Sequence, residues 1–235
     1  MKSKKLIIIL ASILIFLVLG YFLWPYAFTV VPIAQVEQQK ISEAFNPVAY
    51  VDGVWDSKII PQINSEAVNL TDILSAMQPN DQGIAAKEDL IKVAEKYGLI
   101  TVGEAHVYLV KGEAQVVSIN AETSLGVMEI IPAGYTGPIK VVVYMGPRIP
   151  SDETSVRDGV GFINFGDFKE QTEFGKVGSE INKRVLDTAF TNVDKEQLIG
   201  KTITFYGAMT IRTFNLVNID LKKITIVPVK VEVKE

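Results

Sequence analysis

The 235-residue sequence contains no cysteine and a single histidine, His106. Without a thiol there is no disulfide framework, no thiolate zinc site, no iron–sulfur cluster and no cysteine nucleophile. With one imidazole, a multi-histidine metal site is excluded as well. The short motifs of nucleotide, metal and acyl-transfer chemistry are also missing. There is no Gly-x-Ser-x-Gly, Walker loop, Gly-x-Gly-x-x-Gly, His-Glu-x-x-His or EF-hand spacing. Gly159, Gly161 and Gly166 are loosely spaced and follow no strand, as a nucleotide loop would require. Internal repeats and low-complexity segments are absent too. No catalytic residue, metal or cofactor is expected, and the chain is not read as an enzyme.

What the sequence has in quantity is hydrophobicity. Apolar residues make up 48% against 21% charged, and the mean hydropathy is +0.25. The surplus lies at the N-terminus. Leu6 to Trp24 carries no charge over 19 residues, enough for ~28 Å of helix at ~1.5 Å per residue against a bilayer core of ~30 Å. Lys2, Lys4 and Lys5 precede this run, and the next charge beyond it is Glu37. That asymmetry predicts a single-pass signal anchor over residues 1–26, with a cytoplasmic N-terminus and an extracytoplasmic main domain at the cell membrane. Tyr21, Trp24 and Tyr26 fall where an interfacial aromatic belt belongs, and Pro25 is a natural stop. The competing reading is a cleaved signal peptide, with an apolar core of ~7–15 residues and a small-x-small site. Tyr21 through Pro32 is bulky or β-branched apart from Ala27, which favours the uncleaved anchor.

Removing Lys2, Lys4 and Lys5 takes the formal net charge from −4 to −7 for the exported part. An acidic body argues against nucleic acid and against broad contact with anionic lipid. The expected membrane contact is the tether alone.

Two regimes follow. Residues 34–98 read as helical. Gln35–Phe45 is a polar helix candidate, and Asn46 before Pro47 is an N-cap followed by proline at the first helical position. Tyr50, Val51, Val54, Trp55 and Ile59 form the next apolar stripe, which Pro61 is expected to end or kink. Asn69 and Thr71 offer caps for a short helix through Met77. Ala85–Tyr97 is a further helix, with Gly98 at C′.

Residues 99–235 read as a β-barrel domain. Period-two alternation runs from Val107, with turns expected at Gly112–Glu113, Asn120–Thr123 and Pro132–Gly137, making a four-stranded meander. A helical excursion at about 162–198 carries Ile181, Val185 and Leu186 on one face, placed to pack with the helical region. Thr202–Phe214 and Ile224–Val233 are the final strands, the last expected at an edge. The fold class is α+β: a transmembrane helix, a small helical domain, then an antiparallel barrel with a helical insertion before its last strands.

Candidate binding residues are few. Asp52 and Asp56 fall four apart on one expected helix face beside Tyr50 and Trp55, a pattern that suits sugar hydroxyls and ring stacking. The same pattern also describes a solvated acidic face opposite a buried Trp. Arg157 next to Asp158 could fork a ligand anion or pin its own loop. Glu170, Gln171 and Asn182 project from the helical excursion, where capping or interhelix bonding is the plainer role. His106 is out of phase with Val107 and Leu109, so an exposed or rim position is expected.

The run Phe45-Asn-Pro-Val-Ala-Tyr-Val-Asp-Gly-Val-Trp-Asp-Ser-Lys-Ile-Ile-Pro61 resembles the opening signature of a bacterial family of predicted periplasmic lipoproteins, domain-of-unknown-function family 2291. Leu109-Val-Lys-Gly-Glu113, Val156-Arg-Asp158 with Asn164-Phe-Gly-Asp-Phe-Lys-Glu-Gln-Thr-Glu-Phe174, Gly200-Lys-Thr with Phe205-Tyr-Gly-Ala208, and the closing Ile224–Val233 run resemble it in order. The resemblance implies a helical domain joined to an OB-like barrel, and a place near carbohydrate uptake, since such members tend to be encoded beside sugar ABC transporters. It carries no established activity. Three departures stand out: no lipobox cysteine, Glu153-Thr154 where the family tends to Gly-Thr, and Glu170-Gln171 where it tends to Asn-Gln.

The expected function is therefore a membrane-anchored extracytoplasmic accessory or ligand-binding protein, with sugar ABC transporter components as possible partners. A structural interaction module of the envelope without a small ligand is the alternative. A carboxylate hydrolase acting through Asp52 and Asp56 is a weaker third.

Overall fold

The computed structural model describes residues 10, 13–21, 33 and 45–234. The chain divides into two units, Met1–Phe45 and Asn46–Glu235. In the first, residues 13–21 are helical and expose their apolar side chains. Among the described residues, no helix is long and apolar enough to cross a membrane. The rest of the expected span Leu6–Trp24, and the expected helix Gln35–Phe45 short of Phe45 itself, lie outside them.

The second unit opens as its caps require. Asn46 accepts from the Ala49 N–H at 3.1 Å and Pro47 takes the first turn of α1 (Pro47–Val54). Pro61 does not end this helix. One turn of π-helix, Trp55–Ile59, is inserted and closed by the Ile60 N–H on the Trp55 carbonyl, and Pro61 then falls in the first turn of α2 (Ile60–Glu66), so the helix passes the proline by way of the π turn. Asn69 caps α3 (Leu70–Met77) through the Thr71 N–H at 2.9 Å. The chain at 84–86 leaves the expected helix to pair as a short strand, so α4 spans Lys87–Tyr97. Gly98 is not a left-handed C′ residue. Its backbone is extended, and a Cβ there would collide with the Val107 carbonyl oxygen, so it is close approach that calls for glycine.

Among the described residues the strands are β1 (Val68–Asn69), β2 (Ile84–Ala86), β3 (Leu99–Ile100), β4 (Ala105–Asn120), β5 (Val127–Pro132), β6 (Lys140–Tyr144), β7 (Thr202–Arg212), β8 (Asn218–Asp220) and β9 (Lys223–Val233). The expected turn at Gly112–Glu113 does not occur. β4 runs straight through it for 16 residues, with Gly112 opposite Phe205 and Glu113 opposite Thr204. The meander is therefore three-stranded, β4–β5–β6. It continues as β6–β9, β9–β7 and β7–β4, so the pairings run in a ring. β6–β9 is parallel, and the sheet is not antiparallel throughout.

β9 is no simple edge. Its first residues pair with β6, its later ones with β7, and Ile226 serves both. The ring encloses Val116, Met128, Ile130, Val141, Val143, Phe205 and Ile226, all buried. Between β6 and β7 lie α5 (Ser155–Gly159) and α6 (Gln171–Thr188). α6 packs on α1 and β9, burying Val177, Ile181 and Val185 completely. Each such side chain contributes ~1.5–3 kcal/mol.

His106 is a correction to the expected rim position, at only 1% exposed. Both α4 and α5 pack on β4, so its first half is covered on both faces. Nδ1 of His106 has no hydrogen-bond partner. Burial first, then the Lys87 charge, lowers its pKa below the usual 6.5, against an opposing pull from Glu104. The fold thus favours neutral imidazole. Stability from this residue is fully present above the unfolded pKa and is lost as pH falls through it toward the folded value. Urea titrations at pH 7.5 and 5.5 should show a loss on acidification, bounded at ~1.4 kcal/mol per pH unit for one proton, that His106→Leu removes.

Candidate functional site

The sequence candidates separate into three places. Asp52 and Asp56 have different surroundings. The π turn breaks the i, i+4 geometry after Val54, and Arg184 of α6 reaches across to form an ion pair with Asp52. Trp55, 4% exposed, lies in the same junction with the Arg184 guanidinium 5.9 Å from its ring. Asp56 is exposed. These residues join α1 to α6. Gln171 is exposed at the first position of α6, whereas Asn182 is buried and donates to the Glu153 carbonyl at 2.6 Å.

Arg157 and Asp158 stand elsewhere. Gly159 lets α5 lie against β4, since a Cβ there would stand 2.8 Å from Leu109. This seats Arg157 at 8% exposure. Its Nε donates to Asp158 Oδ1 at 2.8 Å, Nη2 lies 2.7 Å from the same oxygen, and Nη1 donates to the Phe174 carbonyl at 3.2 Å. Asp158 Oδ2 accepts from Thr154 Oγ1 at 2.6 Å. The guanidinium lies flat on Phe174, 3.6 Å from the ring centroid. Arg157 is thus buried and Asp158 half-buried, and the pair is hydrogen-bonded and charge-compensated, the condition under which such charges are tolerated.

Above this pair opens a cleft of about 480 Å³. Leu99–Gly103, the end of β3 and its turn, form one wall; Ile163, Asn164 and Phe165 form the other. Phe165 is 56% exposed and stands edge-on to Phe174 at 5.7 Å. Phe168 links Phe174, at 5.6 Å, to Tyr50, at 5.4 Å. Burial, and then Asp167, raises the Tyr50 pKa. Tyr50 is joined to Arg157 through this aromatic chain and does not line the cleft. A larger depression of about 640 Å³ beside Asp81–Ile84, Pro138 and Lys222 holds none of the candidates.

Phe165, Phe174 and Leu99–Gly103 were not among the sequence candidates. The available signal was three phenylalanines, 165, 168 and 174, crowded into an otherwise polar connection. The cleft offers recognition chemistry: an aromatic and aliphatic lining, one compensated ion pair, and the exposed amide of Asn164. Among the described residues, no three His, Asp or Glu side chains gather as a metal site.

The fold and cleft define a class: a mixed α+β protein with a seven-stranded sheet, five of whose strands pair in a ring, and a mainly apolar cleft between its helical excursion and β3. The solved structures include a similar one, the crystal structure of an OB-fold protein from Thermotoga maritima, 16% identical with a TM-score of 0.59, the match covering 82% of this chain and 100% of that one. More particularly, the chain belongs to the family described as predicted periplasmic lipoprotein, DUF2291, which it matches over residues 16–232. No curated protein matches it. The family description puts such proteins outside the cytoplasm, and its function is unknown. None of the 235 residues is a cysteine, so none can carry a thioether-linked lipid.

Proposed function

We propose that the protein is a membrane-tethered, extracytoplasmic, non-enzymatic binding module whose site is the Arg157–Phe174 cleft. The ligand class we assign is a saccharide. One observation carries this reading: a buried, neutralised Arg157–Asp158 pair floors a cleft with a half-exposed phenylalanine at its wall. A neutral pair presents donors and acceptors without demanding a charged ligand, and an aromatic face stacks on the C–H face of a sugar ring. The association with sugar ABC transport, implied by the family resemblance, agrees with that chemistry. The tether is the Leu6–Trp24 segment, long enough for a bilayer and flanked by lysines on one side only. The ring-paired sheet serves as the small barrel that carries the site.

The test uses the full chain reconstituted in lipid vesicles. It should float with the vesicles after carbonate extraction, and its melting temperature should rise with at least one of a panel of mono- and disaccharides. Phe165→Ala should weaken that saccharide about 5–100-fold, a loss of ~1–3 kcal/mol. Flotation without any saccharide response would leave the anchor standing and remove the ligand assignment.

A second reading has its own observation. Val102, Phe214, Leu216 and Val217 are exposed on two adjoining loops, tied by the Thr213 hydroxyl to the Glu104 carbonyl and by the Lys87 N–H to the Val217 carbonyl at 2.9 Å. Exposed apolar side chains on neighbouring tips suit docking on another envelope protein. In-membrane crosslinking from position 102 should then capture one stoichiometric partner.

A further inference from the structure

The ring of strands has an opening. β7 and β9 pair from Ile203–Val233 to Met209–Ile226 and then part. Beyond that point Thr210–Arg212 pair only with β4, and Lys223–Thr225 only with β6. Between the parted segments lies a cavity of about 290 Å³, bounded also by Tyr144, Glu153 and Ile219–Leu221. None of its residues lines the Arg157 cleft.

The polar groups around this cavity are incompletely satisfied. Glu153 is 8% exposed, and its Oε1 accepts from the Ser155 N–H at 3.1 Å and from the Ser155 hydroxyl. Among the described residues no donor reaches its Oε2. The Thr210 hydroxyl is buried with no partner. Tyr144 is buried beside Glu153: burial and then the Glu153 and Asp152 charges raise its pKa, against Arg212. The Asn182 amide and the Pro150 carbonyl hold the Glu153 backbone, so the carboxylate is not on a free loop. At the outer margin both cations are exposed. Arg212 donates through Nη2 to the Asp152 carbonyl at 2.8 Å and lies 3.4 Å from the Asp152 carboxylate, and Lys223 makes no ion pair among the described residues.

A buried carboxylate with an unused oxygen calls for a donor, best a cationic one. Exposed cations at the margin, Lys223 without an ion pair among the described residues and Arg212 with nitrogens to spare beyond Nη2, call for an acceptor, best an anionic one. A ligand carrying both charges a few bonds apart answers both, whereas a neutral polyol would leave each charge poorly compensated. We propose that this opening binds a small ammonium–carboxylate zwitterion of the free α-amino acid class. The ammonium enters toward Glu153, Thr210 and Tyr144, and the carboxylate stays at the Arg212 and Lys223 margin. The volume, at the low end for ligand pockets, fits a ligand of that size.

The experiment screens the full chain against the twenty L-amino acids one at a time by thermal shift, then measures the best binder by calorimetry. At least one should raise the melting temperature. Its N-acetyl derivative, which lacks the ammonium, and its amide, which lacks the carboxylate, should both fail. Glu153→Gln should weaken binding about 30-fold or more, and Thr210→Val about 5-fold. If Glu153→Gln does not fold, Thr210→Val and the two derivatives decide the matter. The proposal falls if no L-amino acid binds, if saccharides alone protect the protein, if the derivatives bind as well as the parent, or if neither variant weakens binding.

Discussion

Asp158→Ala is expected to lower the unfolding free energy by about 2–4 kcal/mol, read from urea denaturation of the full chain. Removing one member of a buried ion pair leaves the other charge buried without compensation, an effect of ~3–5 kcal/mol for a fully buried pair. The lower figure applies here because the Asp158 side chain keeps a fifth of its surface exposed while Arg157 keeps under a tenth. Arg157 would retain the Phe174 carbonyl and ring, but neither carries a full negative charge. Thr154 would lose its acceptor as well. The double variant Arg157→Met/Asp158→Ala should be more stable than Asp158→Ala alone, because no orphaned charge remains. Both variants should lose the saccharide response of the cleft. A double variant no better than the single one would show that packing of the arginine stem on Phe174 outweighs its charge.

Much of the fold was legible where local chemistry decides it. Asn46–Pro47 and Asn69 announced their helix starts, and each cap bond is made. The face of α6 followed from spacing in part, since Ile181 and Val185 are buried as expected while Leu186 is only half-buried and Val177, not among the expected residues, is buried with them. The failures share a cause: each depended on a distant part of the chain. Gly112 reads as a turn until Phe205, 93 residues later, pairs opposite it in β7. His106 reads as exposed by alternation until helices from both sides cover β4. β9 reads as an edge because its parallel pairing with β6 leaves no local trace.

The site was legible in part for the same reason. Arg157 next to Asp158 was visible as a pair, and both roles suggested by the sequence, a pinned loop and a ligand contact, fit where it lies. What gives the pair its surroundings comes from elsewhere in the chain: Leu99–Gly103 across the cleft, and Phe174 beneath the guanidinium. Glu153 was noticed only as a departure from the family pattern. Its burial at the parting of β7 and β9 gives that departure a physical setting.

Trp55→Ala carries the other large expected effect and separates two readings of the same residue. As a stacking platform for a sugar, Trp55 would be exposed, and its removal would abolish binding with little loss of stability. The structure instead buries it to 4% exposure at the α1–α6 junction, with its carbonyl accepting from the Ile60 N–H to close the π turn. Truncating a buried tryptophan leaves a large cavity, and the expected loss is ~3–5 kcal/mol. Arg184→Ala should lose only ~0.2–1 kcal/mol, because the Asp52 partner is more than half exposed and solvent screens the pair. Trp55→Phe should recover most of the stability by refilling the space. Urea midpoints for the three variants test this order. If Trp55→Ala unfolds near the wild-type midpoint yet no longer responds to saccharide, the binding surface lies at Asp52–Asp56 and the Arg157 cleft is not the site.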